Sequence, residues 1–364
     1  YKGISRDGVY DMAGNVREWV ANLDGDARFI LGGGWSDPQY AFNDAVASAA
    51  FDRSAENGIR LVSYPDDTNL AAARQPIEKE FKDYASLQPV ADDVFDVYRQ
   101  MYEYDDAPLN DVVVETVERG AYIRERIELD AAYGGERLTV FVFLPTGSNP
   151  KAPHQAVVFF PGSGDLYKRS YDELQLRAVE FIVRSGRALV YPVYKGTYER
   201  GSDLQSDIQN TSNLYRDHVI AWSRDIGRAI DYVETRPDID ANRLAYLGFS
   251  RCGAMGPIMT AIEKRFRAAI IFVGGMMMQD VQPMADPFNF LPRVTIPTFM
   301  FNGRYDSFFP LDTAIMPFYE NLGTPEADKK LTVTDANHFI SAYNSDQMIR
   351  EALDWLDKYL GPVE

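Results

Sequence analysis

The fold of this chain is decided by the stretch LAYLGFSRCG, which occupies positions 244–253. Its first half is an apolar run typical of a buried strand, and a helical pattern begins directly after Ser250. A Gly-x-Ser sequence between a strand and a helix predicts a nucleophile elbow, a strained turn that exposes the serine hydroxyl. Gly248 provides the small residue that this turn requires, whereas Cys252 stands where a second glycine is usual. The alternative interpretation is that Ser250 only caps the helix.

Strands and helices alternate on both sides of this segment. Apolar runs predict strands at 112–117, 121–129, 138–144, 156–160, 188–193, 244–248, 268–273, 298–302 and 331–333. Helical spacing predicts helices at 172–184, 220–234, 253–264 and 347–360. Antiparallel strands followed by this alternation predict an α/β fold with a mostly parallel central sheet and helices on both faces.

A serine hydroxyl is a weak nucleophile, so the elbow needs a base and an acid elsewhere in the chain. For a nucleophile on such an elbow, the expected chain order is Ser, then Asp or Glu, then His. His338 is the only histidine after Ser250 and is therefore the predicted base. The predicted acid is Asp306, which follows an apolar strand and a turn; Asp280 and Asp286 are its competitors.

Backbone amides are the predicted donors to the oxyanion of the reacting carbonyl. One is the amide of Arg251, the residue after the nucleophile. The second is the amide of Gly162 or Ser163, because a glycine-rich loop follows the early strand at 156–160. An ordinary glycine-rich turn is the other interpretation of this loop.

Methionines and aromatic residues near the predicted strand ends suggest a pocket for an apolar or aromatic substrate. The predicted pocket residues are Tyr194, Tyr198, Met276, Met277 and Phe308. Core and subunit packing is the other interpretation of the same residues.

With these motifs, residues 111–364 resemble an α/β-hydrolase, in particular the dienelactone-hydrolase and prolyl-oligopeptidase-like branch. The resemblance implies a catalytic domain that cleaves small-molecule carboxylic esters through an acyl-enzyme, without a cofactor. The chain also resembles hydrolases of bacterial multidomain proteins that carry a protein kinase domain. The elbow of those proteins has the pattern Gly-x-Ser-Trp-Gly-Gly, from which Arg251 and Cys252 depart.

Two other functions remain open at this stage. One is a serine peptidase of the oligopeptidase type, which the lack of a propeller-sized N-terminal domain in this sequence disfavours. The other is a catalytically silent binding or scaffold module, which the departures at Arg251 and Cys252 favour.

Residues 1–66 have a different, loop-rich character. DMAGNVREW at 11–19, LGGGWS at 31–36 and NGIRL at 57–61 resemble the C-terminal part of the formylglycine-generating-enzyme (sulfatase-modifying factor) family. This segment contains no cysteine, so the resemblance implies a fold fragment without oxidase activity. We expect buried Trp19 and Trp35 to hold the segment together.

The resemblance has two further implications. Some members of that family bind calcium beside this stretch, which implies Asn15, Val16 and Glu18 as ligands. Since calcium needs six or more oxygens, the interpretation that Asn15 and Glu18 only hydrogen-bond the loop is favoured. A hydrolase after such a segment also resembles bacterial multidomain proteins with an upstream protein kinase domain. We therefore expect sequence before Tyr1. Independently of the resemblance, apolar residues at helical spacing predict a helical linker at 67–110.

Composition narrows the remaining classes of protein. The chain has 37 basic and 54 acidic residues, a net charge of −17, which disfavours nucleic acids and anionic membranes as partners. The single cysteine, Cys252, excludes an internal disulfide and a Cys-rich metal site, and three histidines disfavour a multi-His zinc centre. No signal peptide and no apolar run of bilayer length is visible, so we expect a cytoplasmic protein.

Overall fold

Two β-sheets organise the chain. The structure is a computed structural model that describes residues 5, 8–35, 37, 42, 46–64, 71, 74–75, 82–146, 151–174, 176–204, 206, 208–340 and 345–363. The smaller sheet has four strands, which are β1 (Arg17–Asp24), β2 (Ala27–Leu31), β3 (Val46–Ala49) and β4 (Asn57–Gly58). Their order across the sheet is β3-β2-β1-β4, and only the β1–β4 pair is parallel.

The larger sheet has nine strands in the order β13-β12-β11-β10-β8-β9-β7-β6-β5. The strands are β5 (Val112–Glu118), β6 (Tyr122–Asp130), β7 (Arg137–Pro145), β8 (His154–Phe160), β9 (Ala188–Pro192), β10 (Ile239–Phe249), β11 (Phe266–Phe272), β12 (Thr298–Gly303) and β13 (Lys329–Thr334). The run from β9 to β13 is parallel, whereas β5, β6 and β7 are antiparallel to their neighbours. This is the predicted α/β arrangement with a mostly parallel sheet.

Helices cover both faces of the larger sheet in its central part, because the central strands are apolar on both sides. The described α-helices are α1 (Asp92–Gln100), α2 (Glu180–Arg184), α3 (Asn213–Glu234), α4 (Arg251–Ala254), α5 (Gly256–Ile262), α6 (Met316–Asn321) and α7 (Ser345–Leu360). On β7, Val140 and Val142 join the core under α3 and α5, while Phe141 and Phe143 join the core under α2 and α7. Consecutive strand residues thus point into different cores, as the two-residue period of a strand requires.

The segment 172–184 was predicted to be one helix, and that prediction is wrong. It contains two 3-10 turns, Tyr171–Glu173 and Leu176–Ala178, before α2 begins. A capping box between Ser170 and Glu173 fixes the first turn, and the backbone of Leu174 then leaves the helical region at φ −51° and ψ 129°. Leu174 and Leu176 nevertheless pack against the core, which satisfies the apolar spacing without a continuous helix.

The predicted helical linker at 67–110 is helical over only part of its length. Among the described residues between 82 and 110, α1 is the one α-helix, and the stretch after it is irregular. Side chains of α3 bind the free carbonyls of this stretch: Arg228 donates to the carbonyls of Ala107 and Pro108. These bonds replace the hydrogen bonds that a helix would have supplied.

The expectation of two buried tryptophans in the first segment is also wrong in part. Trp19 lies half-buried on β1, but Trp35 is 58% exposed. The small sheet is instead stabilised by Ala27, Phe29 and Ala47, which form a small hydrophobic core.

No helix within the described ranges combines the length and apolarity needed to cross a bilayer.

Candidate active site

Ser250 lies on a sharp turn between the end of β10 and the start of α4. Its backbone adopts φ 56° and ψ −123°, a region in which a side chain costs about 1–3 kcal/mol. The Ser250 amide donates to the carbonyl of Phe272 on β11 at 2.8 Å, which holds the turn against the sheet. Gly248 is required here, because a Cβ at that position would lie 2.6 Å from the Tyr246 hydroxyl and 2.7 Å from the Cys252 carbonyl oxygen.

The side chains of Ser250, His338 and Asp306 form one hydrogen-bonded chain. The Ser250 hydroxyl lies 2.8 Å from Nε2 of His338, and Nδ1 of the same ring lies 2.7 Å from Oδ2 of Asp306. His338 and Asp306 are both buried, whereas Ser250 is partly exposed. The three positions come from the ends of β10, β12 and β13, which meet at one edge of the parallel sheet.

Backbone amides hold the carboxylate of Asp306 in place. Its Oδ1 accepts hydrogen bonds from the amides of Phe308 and Phe309, each at 2.9 Å. With Oδ1 fixed in this way, Oδ2 is directed at the imidazole. An anionic acceptor at Nδ1 places the ring proton on that nitrogen, so Nε2 is left to accept the serine proton.

The competing carboxylates, and Asp335 on the same loop as His338, make other contacts. Asp280 forms an ion pair with Lys82 at 2.8 Å, and Asp335 pairs with Arg304 at 3.0 Å. Asp286 accepts a hydrogen bond from the amide of Phe288 at 3.0 Å and caps a short helix. Each of these contacts commits the carboxylate away from His338.

The glycine-rich loop after β8 lies beside the serine. A Cβ built on Gly162 would be 3.4 Å from the Cβ of Ser250, so the loop and the elbow are in contact distance. Ser163 is buried and begins a 3-10 helix that ends at Tyr167. Asp165 in that helix accepts a hydrogen bond from the hydroxyl of Tyr191 on β9 and thereby ties the loop to the sheet. Burial raises the pKa of the Asp165 carboxyl.

The two departures from the Gly-x-Ser-Trp-Gly-Gly pattern are accommodated by packing. The guanidinium of Arg251 lies 4.5 Å from the ring centroid of Trp222 on α3, in cation–π geometry, and the residue is buried. Cys252 is also buried, and its carbonyl accepts a hydrogen bond from the Tyr246 hydroxyl at 2.6 Å. Neither residue displaces Ser250 from the turn.

The predicted pocket residues divide into two groups. Tyr194, Tyr198 and Met276 are buried in the interior, which corrects the expectation that they line an open pocket. The hydroxyl of Tyr194 donates to the carbonyl of Phe159 at 2.8 Å, and that of Tyr198 lies 2.9 Å from the hydroxyl of Tyr191. These tyrosines satisfy their polar atoms internally.

The remaining two predicted pocket residues are half-buried. The ring of Phe308 lies 4.7 Å from the His338 ring, centroid to centroid, directly beside the proposed base. Met277 packs at the edge of the core, and its carbonyl accepts from the Tyr84 hydroxyl at 2.7 Å. Phe339 was not among the predicted pocket residues, but its ring centroid lies 5.7 Å from that of His338. Its position next to the histidine in the chain was the available signal.

The residues proposed for calcium make contacts within the protein. The Glu18 carboxylate accepts from Arg60 at 2.7 Å, and the Asn15 carbonyl accepts from the Trp35 amide at 2.9 Å. The side chain of Val16 packs under Gly58, where a Cβ would come within 2.7 Å of it. Within the described ranges, no group of three or more His, Cys, Asp or Glu side chains is arranged to hold a metal ion.

Comparisons with known proteins give the fold a name. A family model described as PETase, PET hydrolase-like, matches residues 206–362. An acetyl xylan esterase from Paenibacillus sp. R4 superposes with a TM-score of 0.57 at 18% identity, over 75% of this chain and 96% of its own. Acetyl xylan esterase 1 from Thermoanaerobacterium sp. JW/SL YS485 gives 0.54 at 16% identity, over 72% of this chain and 95% of its own. An esterase from Pyrococcus furiosus gives 0.51 at 15% identity, over 71% and 100%. The chain therefore has the α/β-hydrolase fold.

Proposed function

We propose that this protein is a serine hydrolase that cleaves carboxylic esters through an acyl-enzyme intermediate. The observation that carries the proposal is the hydrogen-bonded chain from Ser250 through His338 to Asp306, with the serine on a strained elbow. A helix-capping serine does not require a buried imidazole and carboxylate in line with its hydroxyl. The arrangement matches the roles of nucleophile, base and orienting acid.

The proposed reaction has two halves. The hydroxyl oxygen of Ser250 attacks the ester carbonyl, and Nε2 of His338 takes the hydroxyl proton and then gives it to the leaving alcohol. Water, deprotonated by the same nitrogen, then attacks the acyl-enzyme. The bond between the acyl carbon and the Ser250 oxygen breaks, the acid is released, and Nε2 returns the proton to the serine oxygen. Asp306 stabilises the imidazolium in both halves. The amide of Arg251 and that of Gly162 or Ser163 are the proposed donors to the oxyanion.

An apolar or aromatic ester is the proposed substrate class. The rings of Phe308 and Phe339 lie next to His338 and to each other, so an apolar group next to the scissile bond would meet aromatic surface. The match to a PET hydrolase-like family model and the likeness to esterases support an ester bond rather than a peptide bond. The oligopeptidase-type peptidase and the silent scaffold are the two alternatives that an experiment must separate.

The experiment measures hydrolysis of p-nitrophenyl esters with acetyl, butyryl and benzoyl groups beside peptide p-nitroanilides. We expect turnover of the esters and little of the anilides, and we expect Ser250→Ala to lose about a thousandfold or more of turnover while remaining folded. Ser185→Ala is a matched control, because Ser185 bonds the Ile182 carbonyl just before β9 begins, at the opposite edge of the sheet. Ester turnover that survives in Ser250→Ala would overturn the proposal. Preferred turnover of the anilides would favour the peptidase.

A further inference from the structure

The small N-terminal sheet contacts the two loops that carry the proposed acid and base. Its contacts fall on the immediate neighbours of these residues: Tyr305 precedes Asp306, and Asn337 precedes His338. A sheet that served only as a separate module would not need contacts with both of these loops.

One buried hydrogen bond joins β3 of the small sheet to the loop of the base. The Asn337 side-chain amide donates to the hydroxyl of Ser48 at 3.0 Å, and both residues are buried. The Asn337 side-chain oxygen accepts from the amide of Phe339 at 2.9 Å. The Asn337 side chain therefore closes a turn with His338 at its centre and anchors that turn to Ser48.

The same sheet packs against the loop of the acid. The side chain of Tyr305 packs on the core of the small sheet, formed by Ala27, Phe29 and Ala47. The amide of Tyr305 also donates to the carbonyl of Ala336 at 2.9 Å, which joins the acid loop to the base loop. The acid loop thus contacts the small sheet through the side chain of Tyr305 and the base loop through its amide.

A third contact involves Phe339, the residue that follows His338 in the chain. The guanidinium of Arg17 on β1 lies 5.5 Å from the ring centroid of Phe339. The Arg17 guanidinium donates two hydrogen bonds to the Asp37 carboxylate, and the distance from Nε of Arg17 to Oδ2 of Asp37 is 2.7 Å. The residues before and after His338 are therefore both in contact with the small sheet.

We infer that Ser48, on β3 of the small sheet, positions His338 through Asn337. The inference rests on the proposed function. The imidazole must bridge Ser250 and Asp306 at hydrogen-bond distance, and a displacement of about 1 Å in such a site costs on the order of a hundredfold in rate. Loss of the Ser48 hydroxyl leaves the Asn337 amide buried without this acceptor, so the turn that carries the ring relaxes.

The test measures kcat and KM for p-nitrophenyl acetate in the full chain. We expect Ser48→Ala to lower kcat roughly tenfold, within the range expected for a small displacement of the base, with KM unchanged. Ser48→Thr retains a hydroxyl and restores the rate. Arg60→Gln removes an ion pair of the small sheet with Glu18, away from these loops, and keeps the wild-type rate.

A double-mutant cycle keeps the test informative if threonine does not fit the buried position. Because both side chains act through one bond, Ser48→Ala combined with Asn337→Ala lowers kcat no further than Asn337→Ala alone. A wild-type kcat in Ser48→Ala, an equal loss in Arg60→Gln, or additive losses in the cycle would overturn the inference.

Labelling with a fluorophosphonate probe separates failure of this inference from failure of the proposed function. A wild-type protein that reacts with the probe at Ser250, while Ser48→Ala keeps full kcat, overturns only the role of Ser48. A wild-type protein that does not react overturns both.

Discussion

Asp306 directs one carboxylate oxygen at His338 while two backbone amides hold the other. The distance from Nδ1 of His338 to Oδ2 of Asp306 is 2.7 Å, and both residues are buried. A carboxylate held in this way cannot rotate away from the ring, and the ring in turn keeps Nε2 aimed at the serine. The rate of the proposed reaction should therefore depend on the charge of Asp306 more than on its shape.

The first prediction follows from this geometry and concerns Asp306→Asn. Asparagine can keep its oxygen on the amides of Phe308 and Phe309, which places its NH2 group against His338. The ring then has to accept at Nδ1 and carry its proton on Nε2, so it cannot take the proton of Ser250. We expect kcat for p-nitrophenyl acetate to fall about ten-thousandfold with the melting temperature nearly unchanged.

Asp335→Asn is the matched control for this prediction. Asp335 lies on the loop of the base, but its side chain is exposed and pairs with Arg304. This variant should turn over the ester at the wild-type rate. An Asp306→Asn enzyme that retains a tenth or more of wild-type kcat would show that the orienting carboxylate lies elsewhere.

The second prediction concerns the strain at the elbow. Ser250 has a positive φ of 56°, a conformation that glycine adopts freely and other residues do not. Relief of this strain by Ser250→Gly is worth about 1–3 kcal/mol, against an entropic cost of glycine of about 0.5–1 kcal/mol. We expect Ser250→Gly to unfold at higher urea concentration than Ser250→Ala, although both are inactive. The reverse order would mean that the turn stores no strain.

The third prediction concerns substrate preference and Phe308. Its ring lies 4.7 Å from that of His338, where an aromatic acyl or alkyl group of a substrate would pass. Loss of the ring in Phe308→Ala should lower kcat/KM for p-nitrophenyl benzoate roughly tenfold more than for p-nitrophenyl acetate. Phe308→Leu keeps apolar volume, so its kcat/KM for p-nitrophenyl benzoate should lie between that of the wild type and that of Phe308→Ala. Equal losses for both esters would show that Phe308 does not contact the acyl group of the substrate.

The fourth prediction concerns stability as a function of pH. Burial raises the pKa of Asp286. The hydrogen bond from the Phe288 amide and the charge of Lys82 oppose this rise, and the nearby charge of Asp280 adds to it. The folded state then binds more protons than the unfolded state, so this group costs stability as the pH rises through its raised pKa. Asp286→Asn should therefore melt above the wild type at pH 8, and the difference should close towards pH 4.

Scanning calorimetry at both pH values measures this effect, with Asp335→Asn as a control for the loss of one negative charge. Asp335 is exposed, so its replacement should give only a small change at either pH. If the gain in Asp286→Asn were the same at pH 4 and pH 8, burial of its charge would not be the cause.

The sequence was most informative where local chemistry and chain order constrain each other. The strand, turn and helix around Ser250 require small residues at fixed positions, and a single histidine follows the serine. Asp306 follows an apolar strand by a short turn, which is the position that the chain order requires. These three side chains hydrogen-bond to one another in the structure. The α/β fold was likewise predicted, because alternating strands and helices differ in apolar spacing.

Sequence was least informative where a side chain's partner is distant. Tyr194 and Tyr198 follow a strand end, as pocket residues do, but nothing local shows that their hydroxyls are bound internally. The bond between Ser48 and Asn337 joins residues 289 positions apart. The prediction of one helix at 172–184 was wrong for a related reason. The apolar residues of this segment pack against the core of the larger sheet, and short turns place them there as well as a helix would.

Covalent labelling of the serine is the most direct test of the proposed hydrolase. The intact wild-type protein is incubated with a fluorophosphonate, digested and analysed by mass spectrometry, with Ser250→Ala and Ser185→Ala in parallel. We expect one adduct, on Ser250, in the wild type and in Ser185→Ala, and none in Ser250→Ala. A folded wild-type protein that carries no adduct, or one that carries it on another residue, would contradict the central claim.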